Sequence, residues 1–380
     1  MAGTVHAPEA PVDATVSTDV PSGPVKIRRD RSLNTVREAI PDECYERPTG
    51  RAMFSVVQAF ALWGASLVGL AFTDRWYLLV PLWAAASLGV AGLFILGHDA
   101  SHGALLNSPK LNRRVARICM LPSMHVESLW DLGHNRIHHG YTTREGFDFV
   151  WHPLTPTQYA ALGRIARLRH RFEWSWLGSG AYFMRTVWWE KMMRFEAPEK
   201  RRKLFKRDRA MVISVFVAAI AVTAAIGLWA DGVGHAFWMP VKLLVIPFLL
   251  FLQVIGWTVY VHHVAPEIRW WPRREWSQFK GQMESTTIMK TPRIVNRLWL
   301  HNIFVHVPHH VDVRIPFHKL PQAAKAIADA FPGTVRTIRF SVRGYLRSTK
   351  SCKLYDFEAG TWLPYAAARG ISPTTVGEAA

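Results

Sequence analysis

Apolar residues are not spread evenly along this chain. Four stretches, 54–72, 76–97, 211–229 and 243–261, contain no charged side chain and run for 19, 22, 19 and 19 residues. At about 1.5 Å per residue each helix would reach roughly 30 Å, the thickness of the hydrocarbon core of a bilayer. Soluble cores rarely need an uninterrupted run of that length, so the pattern predicts four membrane-spanning helices. Only Thr73, Asp74 and Arg75 separate the first two, and residues 230–242 separate the last two. The spacing predicts two helical hairpins. Between and after them the pattern turns polar, with aromatic clusters at Trp174, Trp176, Trp188 and Trp189 and at Trp270 and Trp271. These clusters read as chain lying along the water–lipid boundary, or, for the first, as a core aromatic stripe.

Charge adds an orientation. The chain carries 46 Lys and Arg against 28 Asp and Glu, a net charge of +18. Seven basic residues precede the first stretch, 20 lie in 98–209 and 17 in 262–380, which leaves Arg75 and Lys242 alone on the opposite side. The excess of Lys and Arg beside span ends predicts both termini and the long polar segments in the cytoplasm. Such charge sets topology and meets anionic lipid, and it does not call for nucleic acid. Residues 1–50 read as a disordered, then basic, cytosolic tail, 51–350 as the membrane domain and 351–380 as a C-terminal tail. The first 25 residues lack the apolar stretch of a secretory signal. Cys44, Cys119 and Cys352 are scattered, show no CxxC spacing and fall on the side where disulfides are rare.

The chemistry lies in the histidines. His98 and His102 stand four apart where the second stretch ends. His134, His138 and His139 follow, then His262 and His263, then His306, His309 and His310. Helical geometry puts residues four apart on one face, so His134 and His138 would share a face and His139 would point about 100° away. Neutral imidazole suits iron, zinc and copper. Zinc sites take three or four protein ligands, and these histidines are too many for one zinc. Two irons that activate O₂ would suit a shared cage. Asp99 could orient a ligand ring through its far nitrogen, or be a solvated helix-end carboxylate. The four stretches contain no acidic, basic or His residue, which weighs against a transporter.

The series His98-Asp-Ala-Ser-His102, His134-Asn-Arg-Ile-His138-His139 and His306-Val-Pro-His309-His310 resembles the three histidine boxes of the membrane fatty acid desaturases. His262-His263-Val-Ala-Pro-Glu-Ile, the stretch from Leu300 and His301 to His310, and Phe149-Val-Trp-His-Pro resemble the acyl-lipid omega-6 (Δ12) branch. The second box has three residues before its His pair, where that branch usually has two. The resemblance implies an all-α integral membrane protein whose cytoplasmic helical cap holds a di-iron site. His98, His102, His134, His138, His139, His263, His306, His309 and His310 would be the ligands, with Asp99, His262 and His301 behind them. His6, His125, His152, His170, His235 and His318 remain surface or structural. It implies two ferrous ions, O₂ as co-substrate, a separate electron donor of ferredoxin or cytochrome b5 type, and a cis double bond placed in an acyl chain held in an apolar tunnel. An acyl, sterol or carotenoid hydroxylase or ketolase shares the same boxes.

Overall fold

A computed structural model describes residues 32–196 and 198–371. The predicted disorder of residues 1–30 and of the tail from Ser372 falls outside the described residues, as does His6. Most of the described chain is helical. Four helices are long and apolar enough to cross a membrane: Thr49–Ala71, Trp76–Ser101, Glu199–Asp231 and Val233–His263. Their apolar faces are widely exposed, with Phe72, Trp76, Trp229 and Phe237 bare, as lipid-facing surfaces are.

The first two of these helices start within about a turn and a half of where the pattern placed them, but the third begins twelve residues before 211 and the fourth ten residues before 243. The predicted connection 230–242 shrinks to Gly232, which takes φ +80° between the last two helices. Lys242, expected on the aqueous side, sits inside the fourth helix and is fully buried. Its ammonium reaches Asp74 at 2.8 Å and the Thr73 carbonyl at 3.2 Å, while Trp238 also donates to Asp74 at 2.7 Å. An intrahelical lysine is tolerated here because a carboxylate and a carbonyl wait for it.

The long helices carry polar chain at their histidine ends. Asp208, on the third, pairs with Arg117 at 3.1 Å, and Arg117 also meets Glu127 at 3.4 Å. These contacts tie the third helix to the segment bearing the second histidine cluster. The fourth helix passes so close to Ser179 and Gly180 that a Cβ on Gly256 would strike the Ser179 carbonyl. The short helix Leu33–Glu38 packs Leu33 and Val36 against Val307, Val311 and Ile327, behind the third cluster.

Two small sheets supplement the helices. β1 (Ile288–Lys290) pairs in parallel with β2 (Thr337–Arg339), and β3 (Leu354–Asp356) pairs antiparallel with β4 (Thr361–Leu363). The second sheet corrects one expectation. Trp270 and Trp271 do not lie along an interface: both are buried, Trp270 under Tyr355 and Phe357, and Trp271 donating to Ser285 at 3.0 Å. The first tryptophan cluster divides. Trp174 is buried against Trp151, whereas Trp176 and Trp189 are exposed.

Candidate metal centre

The histidine clusters converge at one end of the long helices. His98 and His102 continue the second helix and share a face, with ring centroids 4.7 Å apart. The next cluster departs from the expected geometry. Asp131–His138 is a π-helix, and the His139 amide donates to the His134 carbonyl five residues back. Widening the turn superposes residues five apart instead of four. His134 and His139 therefore share a face, their Nε2 atoms 3.1 Å apart, and His138 points elsewhere. The pairing expected from an α-helix is reversed. In the third cluster an ordinary α-helix, His306–Val311, brings His306 and His310 Nε2 to 2.9 Å and sends His309 the other way.

Two groups result. His98, His102, His134, His139 and His309 form one, and His138, His263 and His310 the other. Within each, one ligand-capable atom per residue lies within 4.8 Å of all the rest. His306 borders the second group, its Nε2 3.3 Å from that of His263. All nine histidines proposed as ligands are thus brought together.

The backs of several rings are fixed. His98 Nδ1 donates to Asp99 at 3.1 Å, and Asp99 also accepts from the Phe317 amide at 2.9 Å. Asp99 is therefore a buried orienting carboxylate and not a solvated helix end. His138 Nδ1 faces both oxygens of Asp148 at 3.0 and 3.1 Å. His310 Nδ1 donates to Gln282 Oε1 at 2.7 Å, and His263 Nδ1 to the Ser285 carbonyl at 3.4 Å. Gln282 also donates to the His139 carbonyl and accepts from Thr142 at 3.0 Å. Asp148 and Gln282 carried no motif. Asp148 lies ten residues past His138, and Gln282 on a segment without histidine, so only the fold reveals them. His262 makes no such bond. It stacks on His306 at 3.9 Å and 18°. His301 stays outside, edge-on to Phe317. His125 and His170 are buried aromatic partners of Trp130 and Trp174.

This donor set fits a metal. A ring whose Nδ1 donates to an oxygen must present a bare lone pair at Nε2. His98 Nε2 nonetheless faces His134 Nε2 at 2.9 Å, and His139 Nε2 faces both His134 and His309, at 3.1 and 3.2 Å. One proton cannot satisfy so many converging nitrogens. A cation about 2.1 Å from each would hold neighbouring ligands roughly 3 Å apart at right angles. The buried His102 Nε2 has no hydrogen-bond partner at all. Burial holds His134, His139, His306 and His310 well below the ordinary imidazole range and His309 down to about 3, so these rings are neutral, as ligation requires.

Beside both groups lies an apolar cavity. His98, His134, His138, His262, His263 and His306 form its polar wall, and residues such as Phe94, Val187, Ile255 and Ile303 the rest. It is tight, with about 40 Å³ of free space.

Membrane-length helices that converge on a buried imidazole cage compatible with a metal, beside an apolar slot, fit an enzyme acting on lipid. The chain belongs to the fatty acid desaturase family, whose profile matches residues 45–341. It is an oxidoreductase that desaturates fatty acyl chains. It is 28% identical over 354 residues to the sn-1 oleoyl-lipid 12-desaturase of Synechocystis sp., covering 92% of this chain and 97% of that protein. It is 26% identical over 340 residues to the chloroplastic omega-6 fatty acid desaturase of Arabidopsis thaliana, covering 88% of this chain and 71% of that protein. It is 29% identical over 306 residues to the chloroplastic omega-3 fatty acid desaturase of Sesamum indicum, covering 77% and 65%.

Proposed function

We propose that the chain introduces a cis double bond at the Δ12 position of an acyl chain carried on a membrane glycerolipid. The names of its relatives, oleoyl-lipid 12-desaturase and omega-6 desaturase, support that position. The carrying observation is the convergence of eight imidazoles into two groups, with His306 at the edge of the second, beside one apolar cavity. Two ferrous ions held there, with O₂ and electrons from a separate ferredoxin or cytochrome b5, supply the oxidising power to remove hydrogen from two neighbouring methylenes.

The ligands to one ion are His98, His102, His134, His139 and His309, and to the other His138, His263, His306 and His310. The protein's part is position and dryness. Asp99, Asp148 and Gln282 fix ring orientation and tautomer. Phe94, Val187, Ile255 and Ile303 exclude water and hold the acyl chain against the histidine wall. The long helices cross as two hairpins, and the cage sits in a cap on the cytoplasmic side with both termini, an arrangement supported by the 44 basic residues on that side.

The test is expression with a compatible electron donor and gas chromatography–mass spectrometry of total fatty acids, beside His138→Ala. A Δ12 diene made only by the intact protein is expected. A double bond elsewhere overturns the position, and a hydroxy acid overturns desaturation in favour of hydroxylation.

A further inference from the structure

The cavity beside the cage is too tight for an acyl chain as it stands, so something in its wall must move. Phe149 is the one side chain that lines both this cavity and a roomier surface cleft with about 540 Å³ of free space. The cleft runs between the short helix Arg164–Glu173 and the π-helix Phe183–Met193. Its lining carries Arg169, Arg185 and Lys191, with Glu190 and the buried Glu173 against them. The Phe149 backbone is pinned: its carbonyl accepts from the Tyr182 hydroxyl at 2.9 Å, and the preceding Asp148 is held by His138 and by the amides of Thr143 and Val150. The ring is half-buried and packs against the apolar clusters on both sides of it, with the Lys191 ammonium 5.3 Å from its centre. Because it is shared by cleft and cavity, a change of its rotamer is the step that would join them.

The helix forming the outer wall of the cleft has an unusual surface. Ile165, Leu168 and Phe172, at i, i+3 and i+7, are 84%, 68% and 55% exposed, and Trp176 and Leu177 continue the stripe. Arg164, Arg167, Arg169 and Arg171 flank it. Its other face is buried through His170 and Glu173. An apolar stripe between arginines is what a helix lying in the headgroup layer presents, apolar side down and cations toward phosphate.

We propose that the cleft beside Arg164–Glu173 is the portal through which a bilayer glycerolipid delivers its acyl chain, with Phe149 as the gate to the cavity. The helix seats in the headgroup layer, the charged lining faces the lipid's headgroup, and the ring swings aside for the chain. This rests on the reading that the cavity holds the acyl chain.

The test uses the full chain in liposomes doped with a phosphatidylcholine bearing a diazirine midway along one acyl chain. After irradiation, label on Val187 and Ile255 is read by mass spectrometry, with iron content measured in parallel. Wild type is expected to label at both. Phe149→Trp should cut cavity labelling at least fivefold, and Phe149→Ala should speed it at least twofold, with iron content unchanged. The double change Leu168→Asp with Phe172→Asp should also cut labelling at least fivefold. Cavity labelling that none of these variants alters overturns the portal. No cavity label in wild type overturns instead the acyl-cavity reading beneath it.

Discussion

The two histidine groups solve one problem in opposite ways. The first has five rings, yet only His98 is braced by a carboxylate, and the buried His139 Nδ1 has no partner. The second has three, with His306 at its edge, and each of the three is tied at its back: His138 to Asp148, His310 to Gln282, His263 to Ser285. One site relies on number and the other on orientation. Losing a ligand should hurt most where there are fewest. His138→Ala is expected to empty the second site and reduce desaturation beyond the roughly 10–100-fold typical of losing an outer partner. His102→Ala, which leaves four rings, should cost less. Iron per chain and product per iron separate the two, and equal losses would mean that the groups are not distinct sites.

Bracing gives the next contrast. Asp148 orients His138 and also accepts from two backbone amides, Thr143 and Val150, each within 3.0 Å. Asp99 orients His98 and accepts from one, Phe317. Asp148→Asn is therefore expected to lower metal affinity by roughly 10–100-fold, and Asp99→Asn by the lower end of that range. Competition against a chelator measures both. A larger effect for Asp99 would reverse the contrast and point to the first site as the weaker binder.

The far end of the same helices offers a buried polar cluster with no metal to hold. Lys242 is fully buried while Asp74 is half-exposed. Removing the exposed partner strands a buried charge, whereas removing the buried one leaves a carboxylate that water can reach. Asp74→Ala should destabilise toward the lower end of roughly 3–5 kcal/mol, and Lys242→Met by clearly less. Thermal unfolding in detergent orders the pair, and a larger loss for Lys242→Met would refute the asymmetry.

How much of this could be read along the chain differs from residue to residue, for physical reasons. His98 and His102 were legible because their helix is α and simply continues out of an apolar run. His134, His138 and His139 were legible as a cluster but misread as a pair. Nothing in Asp-Leu-Gly-His-Asn-Arg-Ile-His signals a π-turn, which is stabilised by the contacts around it. Lys242 looked like loop because a charge ends an apolar run, and its partner Asp74 is 168 residues away. Trp270 looked interfacial because Tyr355, which covers it, is 85 residues downstream. Asp148 and Gln282 are single polar residues whose meaning comes only from the ring each one touches. Local period announces ligands on regular helices. It is silent about what stands behind them.

A buried histidine outside both groups sharpens that last point, and its effect should be the smallest. His170 stacks on Trp174 at 12° between rings, and its Nδ1 meets the Tyr365 hydroxyl at 2.9 Å. Burial first, then the charges of Lys353, Arg185 and Arg169, push it down to about 4. An imidazole depressed in the folded state favours the fold while it is neutral. Its contribution is therefore complete above about pH 6.5, the unfolded value, and drains away as pH falls toward 4. Between pH 7 and pH 5 that loss is about 2 kcal/mol. His170→Phe keeps a ring on Trp174, and the Tyr365 hydroxyl can still donate to the residue's own carbonyl, 3.4 Å away. The variant should thus lose about 2 kcal/mol less than wild type over the same pH interval in denaturant titrations, with iron content unchanged. An identical pH slope in the two proteins would mean that His170 is hydrated in the fold. Its burial would then differ in kind from that of the cage, where burial first and the neighbouring rings second keep the imidazoles neutral.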